Sequence, residues 1–532
     1  GYNSIYKRCY LSRAYDDNQT LQQKIMKGAN ILADNVASTL GPKGRNVLLQ
    51  EAGKDPFITK DGVTVAHFVA LEDPFENAAA RVIRQAAIQT NSDAGDGTTT
   101  STVLARAILR EAQRYVVSGV SPIELQRGIM LAVKEITNKL TEMSTSITSI
   151  EDIAHIASIS ANNDSSIGQL IALAVDKVGQ DGSITIEESR SVETSLDVTE
   201  GFRFDAGYCA GAFITDDRRG VMHHDDPLLL VTDYKISTID QILPLLEMIA
   251  REGRALIVVA EDIEGQALAA MIMNAMRGTM KVAGIKAPFY GEERRNTLDD
   301  LATSTGANFI TRESGTKLQD VKMSDLGTAK FIESAKYNTT IVGGNCDFEE
   351  VEKRIEALKN LIQQTDSIQE CERIQNRIVR LASGVAVIRV GGATEVEMTE
   401  KKHRIEDALE AVRSAQEEGI VSGGGIALLR AANNIEIEAE NDEQALGVSI
   451  VKEACKEPLR QMALNAGESP DLIISAVLSA DENEGWDFRS GRLTNLMKSG
   501  IIDPVKVTRT ALQNAASCAG TLITTNFGII QV

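Results

Sequence analysis

From about residue 20 to 142, apolar side chains recur at every third or fourth position, as in "LQQKIMKGANILADNVASTL". That spacing lines one face of a helix, so the segment is predicted to be mainly helical. Short strands interrupt it at "RNVLLQ" and around "FITKDGVTVA". Asp61-Gly62 there is a turn signal and sets Lys60 and Asp61 on a hairpin tip. From about 200 to 385 the pattern changes: continuous apolar runs such as "PLLLVTD" and "RALIVVAED" alternate with helical stretches, as in an α/β unit. Helical periodicity returns after about 420 and gives way to the strand-like tail "TLITTNFGIIQV". Within the middle section, Glu352 to Arg380 is charged, amphipathic and free of Gly and Pro, which predicts a solvated helix pair.

Helix, then α/β, then helix predicts an α+β multi-domain chain in which a central domain is inserted into a helical one. The boundaries fall at 1–142 with 418–532 for the helical domain, 143–199 with 386–417 for two joints able to hinge, and 200–385 for the insert. The length of 532 residues fits about three domains. A net charge of −20 argues against nucleic acid as a partner, since binding it needs a basic face to displace counterions. No apolar run approaches the roughly 20 residues that span a bilayer, so no membrane association is expected. Cys9, Cys209, Cys346, Cys371, Cys455 and Cys518 are far apart and form no C-x-x-C, which points to neither zinc nor a disulfide framework. The five histidines, His223 and His224 among them, lack metal-ligand spacing and are expected at the surface. The opening "GYNSIYKRCYLSRAY" carries three basic residues and no acid; it reads equally as an organellar presequence or as a plain terminal tail.

The candidate chemistry begins at "NSDAGDGTTTSTVLAR", where Asp96 stands between Gly95 and Gly97 and runs into three threonines. A helix cap explains one Asp or Thr, but three threonines exceed what a cap requires. Glycines allow close backbone approach, and a helix start offers N–H groups to an anion. A carboxylate beside a phosphate needs a cation between them, so the stretch reads as Asp, Mg²⁺ and phosphate. "TLGPKGR" (39–45) is either a helix C-cap or a loop lining a nucleotide, and "VSGGGIALLR" either close packing or a phosphate cradle. Asp407 in "RIEDALEAVRSAQEEG" is either a salt-bridge residue or a catalytic base. No G-x-x-x-x-G-K-[ST] occurs, which excludes a Walker-type loop.

In this order "TLGPKGRNV", "ITKDGVTVA", "AGDGTTT", "SISAN", "AEDIEGQAL", "GGATEVEM", "EKKHRIEDAL" and "EEGIVSGGG" resemble the signatures of the group I chaperonins, the GroEL family, from about residue 20 to 532. The resemblance implies an ATPase that folds non-native client proteins inside heptameric homo-oligomeric rings, single or double, with a co-chaperonin lid as a further partner. It implies an equatorial ATP-binding domain from both chain ends, an intermediate hinge domain and an apical client-binding domain. By motif, Asp96 would hold Mg²⁺, and Gly97, Thr98, Thr99 and Thr100 would bind phosphates. Thr39, Leu40, Gly41, Pro42 and Gly424 would line ATP, with K⁺ near Thr39, Lys60 and Thr99. Asp487, Phe488, Arg489 and Asp503 would flank the base and ribose. Asp407 would orient the attacking water, with Asp61 assisting. Client binding would fall to Tyr208, Phe213, Leu243, Leu246, Leu268, Ile272 and Met273. Residues alone would assign these apolar positions to a core.

Several positions depart from the family pattern. "GWDFRSG" replaces a smaller segment beside the adenine, Ala212 stands where an aromatic is common, and Ser469 falls where a Glu often joins rings. Stacked rings are therefore less firmly implied than rings. A bacterial-type cytosol is the expected location, with a viral gene or a mitochondrial matrix as alternatives. Two other functions compete: a metabolic ATPase or kinase, for which the middle section shows no acid–base cluster, and a passive scaffold, which has no use for Asp61, Asp96 and Asp407 together.

Overall fold

The computed structural model describes residues 12–161, 164–179 and 182–532. Asn162 of the "SISAN" motif, Cys9 and most of the basic N-terminal stretch lie outside them. The chain has the α+β multi-domain architecture expected and divides into two compact units, Gly1–Gly168 with Asp407–Val532, and Gln169–Glu406. Both divisions fall inside helices, Ser165–Val178 and Glu395–Glu418.

The first unit is built from both ends of the chain. Strand Arg13–Asp17 pairs antiparallel with strand Phe527–Gln531, with Arg13 opposite Gln531. Its core is a bundle of helices: Asn18–Ala37, Pro74–Ala94, Thr98–Val117, Pro122–Met143, Asp442–Ala454 and Val505–Ile523. Leu32, Ile108, Leu125, Ile136 and Leu512 are fully buried in it. Small residues set the spacing. A Cβ on Gly128 would lie 2.0 Å from the Gln444 carbonyl oxygen, so the glycine, about 1 kcal/mol unfavourable in a helix interior, lets two backbones nearly touch.

Local chemistry fixes the helix ends around the candidate site. Asp73 accepts hydrogen bonds from the N–H groups of Phe75 and Glu76 and Pro74 follows it, a strong helix start. The same helix stops at Gly95, which is left-handed at φ 79°. The Asp61-Gly62 pair is not a hairpin tip. The hairpin joins Val47–Leu49 to Phe57–Thr59, and Asp61 caps helix Gly62–Phe68 by accepting from Thr64. The turn signal was read correctly as a break but assigned to the wrong element, because an Asp before a Gly serves a helix start as well as a turn.

The second unit carries a four-stranded sheet, a six-stranded sheet and a two-stranded parallel ribbon, Lys235–Ile236 with Asp262–Ile263. Strands Val282–Lys286, Leu256–Ala260 and Leu228–Val231 run parallel, with Gly327–Thr328 antiparallel at the edge. A six-stranded mixed sheet has the order Ile184–Glu188, Gly384–Val390, Ser195–Phe204, Thr339–Val342, Phe331–Ser334, Met222–Asp225. The predicted helix pair is present as Phe348–Gln364 and Ile368–Ala382, each burying a narrow stripe that includes Leu358, Ile374 and Ile378. His223 and His224 are not free surface residues. Both are half-buried in the edge strand of the six-stranded sheet, and His223 stacks on Phe331 and sits 3.0 Å from Asp225. The sequence offered no sign of this, since the strand that covers them comes from residues 331–334.

Candidate functional site

In the first unit, residues from distant parts of the sequence meet around the start of helix Thr98–Val117. Gly97 caps that helix with φ 96° and no side chain caps it. Its first N–H groups are thus available to an anion. Thr98 is 4% exposed, and its Oγ1 is buried without a hydrogen-bond partner. A buried hydroxyl left unpaired costs free energy unless a ligand completes it. Asp96 is exposed, and the Gly97 N–H donates to its Oδ1 at 2.7 Å.

Gly62 brings the neighbouring loop against this helix start. A Cβ there would lie 2.3 Å from Thr99 Oγ1 and 3.8 Å from Thr39 Oγ1, so both hydroxyls converge on one glycine. Asp61, adjacent, holds Thr64 through Oδ2, the Thr64 hydroxyl donating at 2.6 Å. Lys60 is exposed beside it. The Thr39–Pro42 loop follows helix Asn18–Ala37, turns at Gly41 (φ 84°), and is anchored by Asn465, whose Nδ2 donates to the carbonyls of Ala37 and Leu40 at 2.9 Å each.

The opposite wall comes from the C-terminal part of the chain. Strand Ile420–Ser422 pairs with Ile502–Pro504, placing Val421 opposite Asp503. The triple glycine follows at once, Gly424 lying within reach of Ile501 and of the Trp486 carbonyl. Burial, and then the nearby Asp96 carboxylate, push Asp503 up to about 7. A cation placed beside Asp503 would favour its charged form.

Asp407 belongs to the same unit and is exposed on helix Glu395–Glu418. Further along this helix, Ser414 Oγ donates to the Ala94 carbonyl at 2.8 Å, and a Cβ on Gly95 would lie 2.8 Å from Glu410 Oε2. Positions 407, 410 and 414 share one helical face. Asp407 therefore lies about one turn beyond the contact with Gly95, on the side that meets the Asp96 loop.

Within the segment 486–489, the Phe488 ring is not open to a base. Phe488 is 4% exposed and packs with Ile426, Leu459, Ile474 and Leu496. Asp487 folds its own turn, accepting from the Arg489 N–H and the Ser490 hydroxyl. Arg489 is exposed. Packing assigns the aromatic ring to the core, although its motif position implies the nucleotide site.

The client-face residues separate in the same way. On helices Ile239–Ala250 and Gly265–Arg277, Leu243 is 41% and Met273 50% exposed, while Leu268 and Ile272 are half-buried. Leu246 and Phe213 are buried core residues. Tyr208 is half-buried, its hydroxyl donating to the Gly220 carbonyl at 3.0 Å. Ile239 and Met276, which the motifs did not single out, extend the exposed apolar surface, Met276 being 73% exposed. Asn465, Glu410 and Ser414 were missed as well. Helical spacing from Asp407 was the signal for the last two, and nothing local marked Asn465.

Among the described residues no group of three or more His, Cys, Asp or Glu forms a metal cluster, and no helix is long and apolar enough to cross a membrane. The chain matches the TCP-1/cpn60 chaperonin family over residues 32–531 and belongs to it. Its fold is also that of the chaperonin gp146 from the bacteriophage EL 2 (Pseudomonas aeruginosa), crystallised in the presence of ATP-BeFx. The TM-score is 0.62 at 22% sequence identity, over 97% of this chain and 99% of that one.

Proposed function

We propose that this chaperonin binds and hydrolyses ATP in the first unit and uses that cycle to capture and release non-native proteins on the apolar helices of the second. The observation that carries the reading is the uncapped helix start at Gly97, with the orphaned Thr98 hydroxyl and the exposed Asp96 beside it. The N–H groups of residues 98 to 100 bind phosphate oxygens, and Thr98 Oγ1 donates to one of them. Bound Mg²⁺ neutralises phosphate charge, and Asp96 is the residue that holds it. The hydroxyl oxygens of Thr39 and Thr99, converging at Gly62, are hard donors suited to K⁺. Lys60 adds only its carbonyl to such a site, because its side chain is cationic. Asp407 orients the attacking water, with Asp61 beside it.

On the second unit, Leu243 and Met273, with Ile239 and Met276, present the client surface. Each apolar side chain that a client covers contributes only about 1.5–3 kcal/mol, and repetition around a ring multiplies weak contacts. Methionine suits many partners because it repacks.

The decisive experiment is ATP-dependent recovery of a chemically denatured enzyme, wild type against Asp407→Ala, without a co-chaperonin. Recovery that needs ATP and is lost in the variant is expected. Unchanged ATP turnover in Asp407→Ala overturns its catalytic assignment. Turnover without recovery by the wild type shifts the reading to a chaperonin that requires a lid, and no turnover at all revives the passive scaffold.

A further inference from the structure

The second unit contains a cavity of about 400 Å³ whose described lining includes no residue of helices Ile239–Ala250 and Gly265–Arg277. It lies between strands Ser195–Phe204 and Thr339–Val342 and the first turns of helix Phe348–Gln364. Its volume is within the range of small-molecule sites, which run from about 300 to 1,000 Å³. Phe202, Ile341, Ile355 and Leu381 line the interior. Exposed apolar side chains stand at the mouth, Val198 at 49% and Phe348 at 58%.

The polar lining is one-sided. Glu200 and Glu352 are the charged residues that line the cavity, and both are exposed. Among the described residues no Lys, Arg or His lines it. The Cys346 thiol also lines it and is half-buried. Burial first, and then the Glu200 carboxylate, push that thiol up, and both residues line the same space. An anion entering here would desolvate beside two carboxylates with no counter-charge, whereas a cation would gain from both. At about 30 Å³ per water, the cavity has room for a ligand of about a dozen heavy atoms.

We propose that this cavity is a binding site for small cationic amphiphiles, the apolar body lying against Phe202, Ile341 and Ile355 and the cationic head at Glu200 and Glu352. Occupancy wedges helix Phe348–Gln364 against the six-stranded sheet and shields Cys346. The site is independent of ATP and of client capture, so its failure leaves the function proposed above untouched.

Cys346 supplies a local readout in the full chain. The probes are decyltrimethylammonium, decanoate and decanol, each below its micelle range. The rate of N-ethylmaleimide modification is followed at Cys346 by peptide mass spectrometry, with Cys371 and buried Cys455 as controls for unfolding. The expected result is saturable slowing of Cys346 labelling, five-fold or more, by the cationic probe and less than two-fold by decanoate, with the controls unchanged. The Glu200→Gln/Glu352→Gln double variant should lose the preference for the cation. Ile355→Trp, which fills the interior, should lose protection by every probe. Equal protection by the cationic and anionic probes, protection that survives Ile355→Trp, or no protection by the cationic probe each overturns the proposal.

Discussion

Gly97 shows how one residue can decide a site. Its φ of 96° is left-handed, and an added Cβ would meet Thr90 Cγ2 at 3.0 Å and Val507 Cγ1 at 3.2 Å. The backbone alone costs a non-glycine residue about 1–2 kcal/mol there, and the contacts add to it. Gly97→Ala should fold with reduced stability and weaken ATP binding ten-fold or more, measured by calorimetric titration. Asp503 gives a pH prediction with a definite sign. Its folded-state value, about 7, lies above the ordinary 3.8, so the native state binds the extra proton. Stability is therefore lost as pH rises from about 4 through 7. Asp503→Asn should gain on the wild type over that window in the absence of nucleotide. At about 1.4 kcal/mol per pKa unit, discounted for the side chain's residual solvent contact, the gain is roughly 1–2 kcal/mol by pH 8. Thermal unfolding of the nucleotide-free protein at pH 5 and 8 tests this, and a gain that is equal at both values removes the premise. Asn465→Ala should loosen the Thr39–Pro42 loop by removing the donor to the Leu40 carbonyl and one of two donors to that of Ala37, a loss of about 1–3 kcal/mol read as faster hydrogen exchange across residues 37–42.

Among elements, the joint between the Asp216–Val221 turn and the middle of helix Glu395–Glu418 gathers buried charge of both signs. Arg219 reaches Glu333 at 2.6 Å and Glu406 at 3.6 Å, and Arg218 reaches Glu406 at 3.2 Å. The two acids respond in opposite directions. Burial pushes Glu406 up to about 7 despite Arg219 and Lys402. Burial also opposes the charge of Glu333, but Arg219 and His223 outweigh it and hold Glu333 down at about 2. Removing Arg219 leaves both carboxylates short of a partner, a loss typically of about 3–5 kcal/mol for a buried pair. Arg219→Met should expose residues 216–225 and 331–334 to rapid hydrogen exchange while sparing ATP binding in the first unit. Unchanged exchange there would show that the pair is solvated and energetically minor. The sequence announced the α/β character of this section by its alternating pattern. It gave no sign of the cluster, because Arg219, Glu333 and Glu406 meet only after three separate segments pack.

For the whole molecule, two small ribbons bear on assembly. Hairpin Val47–Leu49 with Phe57–Thr59 exposes Leu48 at 70% and Ile58 at 66%. The paired chain ends expose Tyr15 and Phe527. Two-stranded ribbons are marginal alone, and an open apolar edge invites another chain. Ring formation through these ribbons is thus the expected state. Leu48→Lys with Ile58→Lys should reduce the species seen by multi-angle light scattering toward the 57.4 kDa subunit. A ring that persists in the double variant places the assembly contacts elsewhere.

The sequence by itself determined the order helix, α/β, helix, and it marked the Asp96 loop, because periodicity and turn chemistry are local properties. The motifs fixed the family for the same reason, being short contiguous words. Only the tertiary structure decided which apolar residues face water, since Leu243 and Leu246 differ by one turn of one helix yet only Leu243 is open. Only packing sent Phe488 inward, turned Asp61 into a helix cap and set Asp503 against Asp96. Burial and electrostatic coupling arise between segments that are far apart in the chain, and no local pattern encodes them.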